Sequence, residues 1–209
     1  PIEAALIAGN VALGSLGRDF GFQRLHGFDR VRWEALLSEA REAARHPVPV
    51  RIEEKVDGSQ FSFGKDEDGL LYARSRGKEL DPHVPQEKMF ALACETVGRL
   101  SADLHPGWTY RGEFLRVPKH NSLGYARVPA QHIILFDIND GHESYLSYGD
   151  KAAEAARLGL EVVPLLGVWH TPEGTDALKA LLETESILGG AKIEGVVVKP
   201  RDYNLFAPD

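Results

Sequence analysis

Two strand-like runs split by a two-residue turn signal constrain this chain more than any other stretch. Val50–Lys55 and Gln60–Gly64 both carry β-branched or aromatic residues at alternating apolar positions. Asp57-Gly58 stands between them, and glycine accepts the positive φ of a tight turn without steric cost. The pattern predicts a β-hairpin with Lys55 at the end of a core strand. A lysine held there is partly desolvated, which disfavours the ammonium and leaves a nucleophilic amine. The other reading is a surface lysine beside an ordinary turn. Residues elsewhere must decide between them.

Composition narrows the class. With 43% hydrophobic and 26% charged residues in 209, the chain reads as a soluble globular protein with one sizeable core. No apolar run approaches the roughly 20 residues of a membrane span, and the N-terminus lacks a charged-then-apolar signal pattern. The single cysteine, Cys94, excludes an internal disulfide and fits a reducing cytoplasm. Its neighbours Ala91, Leu92 and Ala93 suggest a helix face and a buried, inert thiol. The net charge of −7 argues against indiscriminate nucleic-acid binding but leaves room for a local basic groove. The eight histidines show no metal-ligand spacing, so no zinc site is expected. The chain opens on Pro1 and ends at Asp209 shortly after a strand, so it is expected to be a fragment, a processed product or the ordered part of a longer chain.

Taken in order, residues 1–28 are glycine-rich and weakly periodic. Asp29 is placed to cap a helix with Trp33, Leu36, Leu37, Ala40 and Ala44 on one face, ended by Pro47 and Pro49. Beyond the predicted hairpin, Asp66–Gly69 reads as a turn and Leu70–Ser75 as a third strand. Gln86–Leu100 is periodic as a helix, with Met89, Phe90, Ala93 and Val97 on one face. Trp108–Leu115 is a strand interrupted by Arg111-Gly112-Glu113. Either that segment lies on an exposed edge, or Glu113 points into a site where the glycine permits close approach.

Arg116–Val128 follows as a loop whose Lys119, His120, Asn121, Tyr125 and Arg127 suit either solvent or a phosphate backbone with a stacking base. Gln131–Ile138 is short, nearly all apolar and branched, as in a buried strand. Asp150–Leu158 predicts a helix, Val162–Val168 a strand, and Thr171-Pro172 opens a helix to Glu183. After Gly189-Gly190 comes a last strand, Ile193–Pro200. Alternation puts Glu194, Val196 and Val198 on one of its faces, and Val197 with Lys199 on the other. The fold class is α+β, with mixed, mainly antiparallel sheets and flanking helices.

Five of these segments resemble, in order, the motifs of the covalent nucleotidyltransferase superfamily of ATP-dependent ligases and mRNA capping enzymes. They are Lys55-Val56-Asp57-Gly58, Arg74-Ser75-Arg76-Gly77, Arg111-Gly112-Glu113-Phe114, Phe136-Asp137-Ile138 and Glu194–Lys199. Ser59-Gln60-Phe61 after the Asp-Gly is similar to the RNA ligase 2-like group. The resemblance implies an ATP-grasp-like adenylylation domain spanning residues 1–209. It also implies an ATP-dependent ligase that joins RNA 5′-phosphate and 3′-hydroxyl ends through a lysyl-AMP intermediate, with magnesium or manganese. The alternatives are a DNA ligase, a GTP-dependent capping guanylyltransferase, or a nucleotide- or RNA-binding module without the chemistry.

By the same resemblance Lys55 is the nucleophile, Glu194 the catalytic and metal-binding carboxylate, and Lys199 a phosphate-holding lysine. Asp57 and Gly58 belong to the nucleotide-binding turn, Glu113 would bind the ribose hydroxyls, and Phe136 would stack on adenine. Glu54 would select adenine, and Arg74, with Arg76 as alternative, would contact the nucleotide or the RNA 5′-phosphate. Asp137 is expected to be a structural partner. Lys119, His120, Asn121 and Arg127 are the RNA-binding candidates. The family's final motif of two lysines has no match after Lys199; either the given sequence stops short of it, the favoured expectation, or the first chemical step is crippled. A cytoplasmic, monomeric RNA-repair enzyme is the expectation.

Overall fold

The computed structural model describes residues 49–83, 89–141, 144–169 and 174–201. The readings for residues 1–28 and for the helix after Asp29 lie outside these residues, as do Pro85, Thr171-Pro172 and the segment after Arg201.

Among the described residues nine strands form two sheets. A three-stranded antiparallel sheet has the order β8 (Leu165–Trp169), β1 (Val50–Lys55), β9 (Gly195–Pro200). A six-stranded sheet has the order β4 (Lys78–Leu80), β3 (Leu71–Ser75), β2 (Ser59–Lys65), β5 (Thr109–Phe114), β6 (Ile133–Asn139), β7 (Glu161–Val162). Its one parallel pair is β6 with β7. Helices α1 (Ala91–Leu100), α2 (Tyr148–Arg157) and α3 (Gly174–Leu181) complete the described fold. The architecture is α+β and mainly antiparallel, as expected from the mixed succession of strands and helices.

The predicted hairpin is not a hairpin. β1 and β2 are separate members of the two sheets, and Asp57-Gly58 carries the chain across between them. A turn dipeptide encodes local dihedrals and leaves strand partners open. Gly58 is not among the positive-φ glycines. Its constraint is space: a Cβ there would lie 2.8 Å from Glu113 Cβ and 2.9 Å from Leu115 Cδ1. The strand expected over Val162–Val168 is likewise two strands in different sheets. The break falls at Pro164, which has no N–H to give a ladder, and its carbonyl accepts from Glu54 N at 3.1 Å.

One core packs α1 and α2 on the six-stranded sheet. Phe61, Phe63, Tyr110 and Phe114 are fully buried there beside Ala93, Val97 and Leu135. Phe63 stacks on Tyr110 with centroids 5.3 Å apart. Each of these aromatic side chains contributes roughly 2–3 kcal/mol of burial. Helix α1 is shorter than the predicted Gln86–Leu100, and Met89 ahead of it is 45% exposed instead of lying on the apolar face. Cys94 is buried in this core, its thiol pKa pushed up by desolvation and by Asp81. α2 starts two residues before the predicted Asp150, because Ser147 Oγ accepts from Asp150 N and caps the helix.

A second, smaller cluster of Val56, Leu115, Tyr125, Ile134, Val163 and Leu188 contains residues of both sheets' connections. Gly189 and Gly190 both take left-handed φ, at 69° and 77°, and break the chain before β9 as expected. No helix among the described residues is long and apolar enough to cross a membrane.

Candidate active site

β1 is the central strand of its sheet, yet it buries charge: Arg51, Glu53 and Glu54 are all at most 2% exposed. Alternation puts Arg51, Glu53 and Lys55 on one face. In the antiparallel register Arg51 opposes Lys199, and Glu53 opposes Val197. The same face therefore carries Val197 and Lys199, as the alternation within the last strand predicted. This face looks across to β5 and β6. Between the sheets lies a cavity of about 200 Å³ lined by Glu53, Lys55, Glu113, Phe136, Val197 and Lys199, with Glu54, Val56, Asp137 and Val163 completing it.

Lys55 is half-exposed, and its Nζ donates to Glu194 Oε1 at 2.5 Å. The desolvation predicted from its strand position is thus replaced by a carboxylate partner. The alternation within the last strand put Glu194 on the opposite face from Lys199. The chain places Glu194 in a bend before Gly195, outside β9, so the pleat does not bind it and its carboxylate reaches Lys55.

Arg111-Gly112-Glu113 lies in the interior of the sheet, not on an edge, since β5 pairs with both β2 and β6. A Cβ on Gly112 would meet Ile134 O at 2.5 Å, so this site accepts only glycine. The register steps from Arg111↔Asp137 to Gly112↔Leu135, which leaves Phe136 as the extra residue of a β-bulge. The bulge turns the Phe136 ring to the cavity and its carbonyl out of the ladder. That carbonyl accepts from two ammoniums, Lys151 Nζ and Lys199 Nζ, each at 2.8 Å. Glu113 sits between the sheets with its pKa pushed up to about 7. Desolvation drives the rise, Lys55 opposes it, and the carboxylates of Glu194 and Asp57 add to it.

Lys199 Nζ also donates to Glu53 Oε2 at 2.8 Å and to Asp137 Oδ1 at 3.0 Å. Asp137 is a partner in this ion cluster, with Arg51 Nη2 at 3.8 Å. Glu54 faces the other way, accepting from Ser186 Oγ at 2.5 Å and Ile187 N at 3.0 Å. Its two oxygens thus already hold protein donors, and its burial pushes its pKa up.

Lys151 was invisible as a site residue in the sequence. It is wholly buried, 3.0 and 3.1 Å from the two Glu53 oxygens. The signal available was a lysine on the face of α2 that also carries Glu154 and Ala155, the helix's other buried residues.

The basic segments divide. Arg76 lines a second, open cavity of about 550 Å³ together with Lys55, Ser59, Gln60, Phe90 and Glu113. Arg74 lines neither cavity; its side chain is 63% exposed beside Glu79 on the neighbouring strand. In the loop after β5, three of the four RNA-binding candidates are held by protein partners. His120 accepts from Arg116 N through Nδ1, so Nε2 carries the hydrogen and donates to Ser59 Oγ at 2.9 Å. Burial and Arg116 hold its pKa low. Asn121 Nδ2 donates to Gly58 O at 2.7 Å and Asp57 Oδ1 at 3.2 Å. Arg127 makes a two-pronged pair with Glu161 at 2.7 and 2.8 Å and reaches Ile187 O. Lys119, the fourth, is exposed.

Asp57 turns to the same loop. Its Oδ2 accepts from Ser122 N and Leu123 N at 2.8 Å, and its own N–H donates to Tyr125 Oη. The loop is a brace that fixes the turn following Lys55.

Among the described residues no group of three or more His, Cys, Asp or Glu side chains is arranged to hold a metal. The carboxylates of Glu194 and Glu113 beside Lys55 are oxygen donors suited to a hard cation that brings most of its ligands as water and phosphate.

Residues 48–207 match the family model described as RNA ligase. Among solved structures the chain is similar to Naegleria gruberi RNA ligase with pyrophosphate, at 19% identity and TM-score 0.58 over 73% of this chain and 46% of that one. It is also similar to the E227A mutant of that ligase with ATP and Mn, at 19% identity and TM-score 0.59 over 92% of this chain and 57% of that one. The chain thus spans about half the length of these structures. A local match of 35% identity joins 77 residues, 37% of this chain, to 10% of a ribosomal RNA large subunit methyltransferase K/L from Vibrio campbellii (strain ATCC BAA-1116).

Proposed function

The chain belongs to the RNA ligase family, and from that premise we propose that it is the adenylylation domain of an ATP-dependent RNA ligase that joins 5′-phosphate to 3′-hydroxyl ends through lysyl-AMP. The observation that carries this reading is the arrangement around Lys55: a half-exposed amine at the mouth of an apolar cavity, 2.5 Å from a carboxylate.

The cavity is too small for a whole nucleotide and suits a planar base between Val56, Phe136, Val163 and Val197. Glu113, at the junction of the two cavities, is positioned for the ribose hydroxyls. The phosphates then lie near Lys55 and Lys199, where fixed positive charge opposes the charge spread over the phosphoryl oxygens. Glu194 takes a proton from the Lys55 ammonium. The neutral amine forms the N–P bond at the α-phosphorus as the bond to pyrophosphate breaks. Glu194 would also hold a magnesium or manganese ion, which neutralises phosphate oxygens when bound. The AMP passes next to an RNA 5′-phosphate, for which the open cavity at Arg76 provides space and a cation, and a 3′-hydroxyl finally displaces it. Lys119 is the exposed cation for RNA beyond the site. A reducing cytoplasm fits the buried lone cysteine, and action as a monomer in RNA repair belongs to the same reading.

The test is the intact mass of the full-length protein after incubation with magnesium and ATP, or separately GTP, beside Lys55→Ala. An increment of one AMP with ATP only, absent in the variant, is expected. A GMP increment would move the reading to capping. No adduct, also after pyrophosphate treatment to strip AMP already present, would overturn it in favour of a binding module.

A further inference from the structure

The cavity between the sheets is backed by more positive charge than its lining displays. Lys199 lines it, while Lys151 is wholly buried behind it. Yet both ammoniums hold the same two acceptors, the Glu53 carboxylate and the bulged Phe136 carbonyl. Arg51 Nε is 3.0 Å from Glu53 Oε1, and Arg51 Nη2 is 3.8 Å from Asp137. Three cations thus share two carboxylates in a nearly dry space. Burial, together with the neighbouring Lys199, holds the Lys151 pKa down at about 8 against the pull of Glu53.

In a dry site a carboxylate left without a cation is heavily penalised, so a lysine paired there is ordinarily locked. Duplication of the cation removes the lock. Lys199 uses all three N–H donors on Glu53, Phe136 O and Asp137. If it turns away, Glu53 keeps Lys151 on both oxygens, Phe136 O keeps Lys151, and Asp137 keeps Arg51.

We propose that Lys151 is a positioning residue: it holds Glu53 and the Phe136 carbonyl so that Lys199 can exchange its protein acceptors for a nucleotide phosphate. The phosphate charge then balances the surplus cation. Lys151 touches no ligand and acts through Lys199. The inference rests on the nucleotide-binding reading above and adds a residue to it.

The experiment is calorimetric titration of the full-length protein and Lys151→Met with α,β-methylene-ATP, which cannot lose pyrophosphate, and with adenosine. The variant should bind the triphosphate about tenfold more weakly and adenosine within about twofold of wild type. Lys199→Met should show the same split, and adding Lys151→Met to it should cost little more. Equal weakening of both ligands would make Lys151 a structural ion pair, and no weakening of either would make it dispensable; both overturn the proposal. A wild type that binds neither ligand refutes the nucleotide site itself. If Lys151→Met does not fold, a crystal structure of the wild type with α,β-methylene-ATP decides. Lys199 Nζ should contact a phosphate oxygen with Lys151 still on Glu53; Lys199 remaining on Glu53 overturns the exchange.

Discussion

Lys55 Nζ and Glu194 Oε1 lie 2.5 Å apart although 139 residues separate them in the chain. Adjacent strands bring them together, because Lys55 ends β1 opposite Gly195 at the start of β9. The pair is half-exposed on the lysine side, so it adds only about 0–1 kcal/mol to stability. Under the proposed function its role is chemical. Glu194→Gln should melt within about 4 °C of wild type and slow formation of the AMP adduct at least about a hundredfold. A thermal melt and a mass-spectrometric time course on the same preparation check both. A large drop in melting temperature with the adduct rate unchanged would refute the assignment.

Glu53 makes the opposite contrast, since its carboxylate is buried among Arg51, Lys151 and Lys199. Glu53→Gln leaves three cations facing Asp137 alone. The expected loss is about 3–5 kcal/mol, read as a lower urea midpoint with an unchanged slope. A loss below about 1 kcal/mol would mean that the cluster reorganises without it.

Glu113 sets a pH dependence. Its folded pKa of about 7 stands above the ordinary 4.5. Below pH 4.5 it is protonated in both states, so its favourable contribution is fully present. As the pH rises the unfolded chain ionises first, and the contribution is lost progressively up to and through about 7. Glu113→Gln carries no such loss. Its stability relative to wild type should therefore rise across that window, by at most about 3 kcal/mol. Urea melts of both proteins at several pH values check this, and parallel profiles would exclude it.

Gly58 and Gly98 should respond oppositely to alanine. At Gly58 the new methyl would meet Glu113 Cβ at 2.8 Å and Leu115 Cδ1 at 2.9 Å. Gly58→Ala should cost about 1–3 kcal/mol and, by displacing Glu113, impair adduct formation. Gly98 lies within α1, where a methyl group would meet no neighbouring atom within 4 Å beyond the helix's own backbone. Gly98→Ala should stabilise by about 0.5–1 kcal/mol through helix propensity. Chemical denaturation of the two variants makes the comparison.

What the sequence by itself determined was local. Runs of β-branched and apolar residues identified Val50–Lys55, Leu70–Ser75 and Ile193–Pro200 as strands to within one or two residues of their ends, since such residues suit a pleated, buried surface. Motif order singled out Lys55, Arg74, Arg76, Glu113, Phe136, Glu194 and Lys199; all but Arg74 lie around Lys55 and the two cavities that adjoin it, while Arg74 is exposed beside Glu79. Tertiary structure decided the rest. It placed the strands flanking Asp57-Gly58 in different sheets and split the run at Pro164, because strand partners are chosen by contacts far along the chain. It also gave His120, Asn121 and Arg127 protein partners, the first two bracing the turn after Lys55. The same residue types would serve an RNA phosphate equally well, and only the partner's position distinguishes the two. Lys151 was not legible at all, because an alanine-rich helix says which face is buried but cannot say that a carboxylate 98 residues earlier waits beneath it.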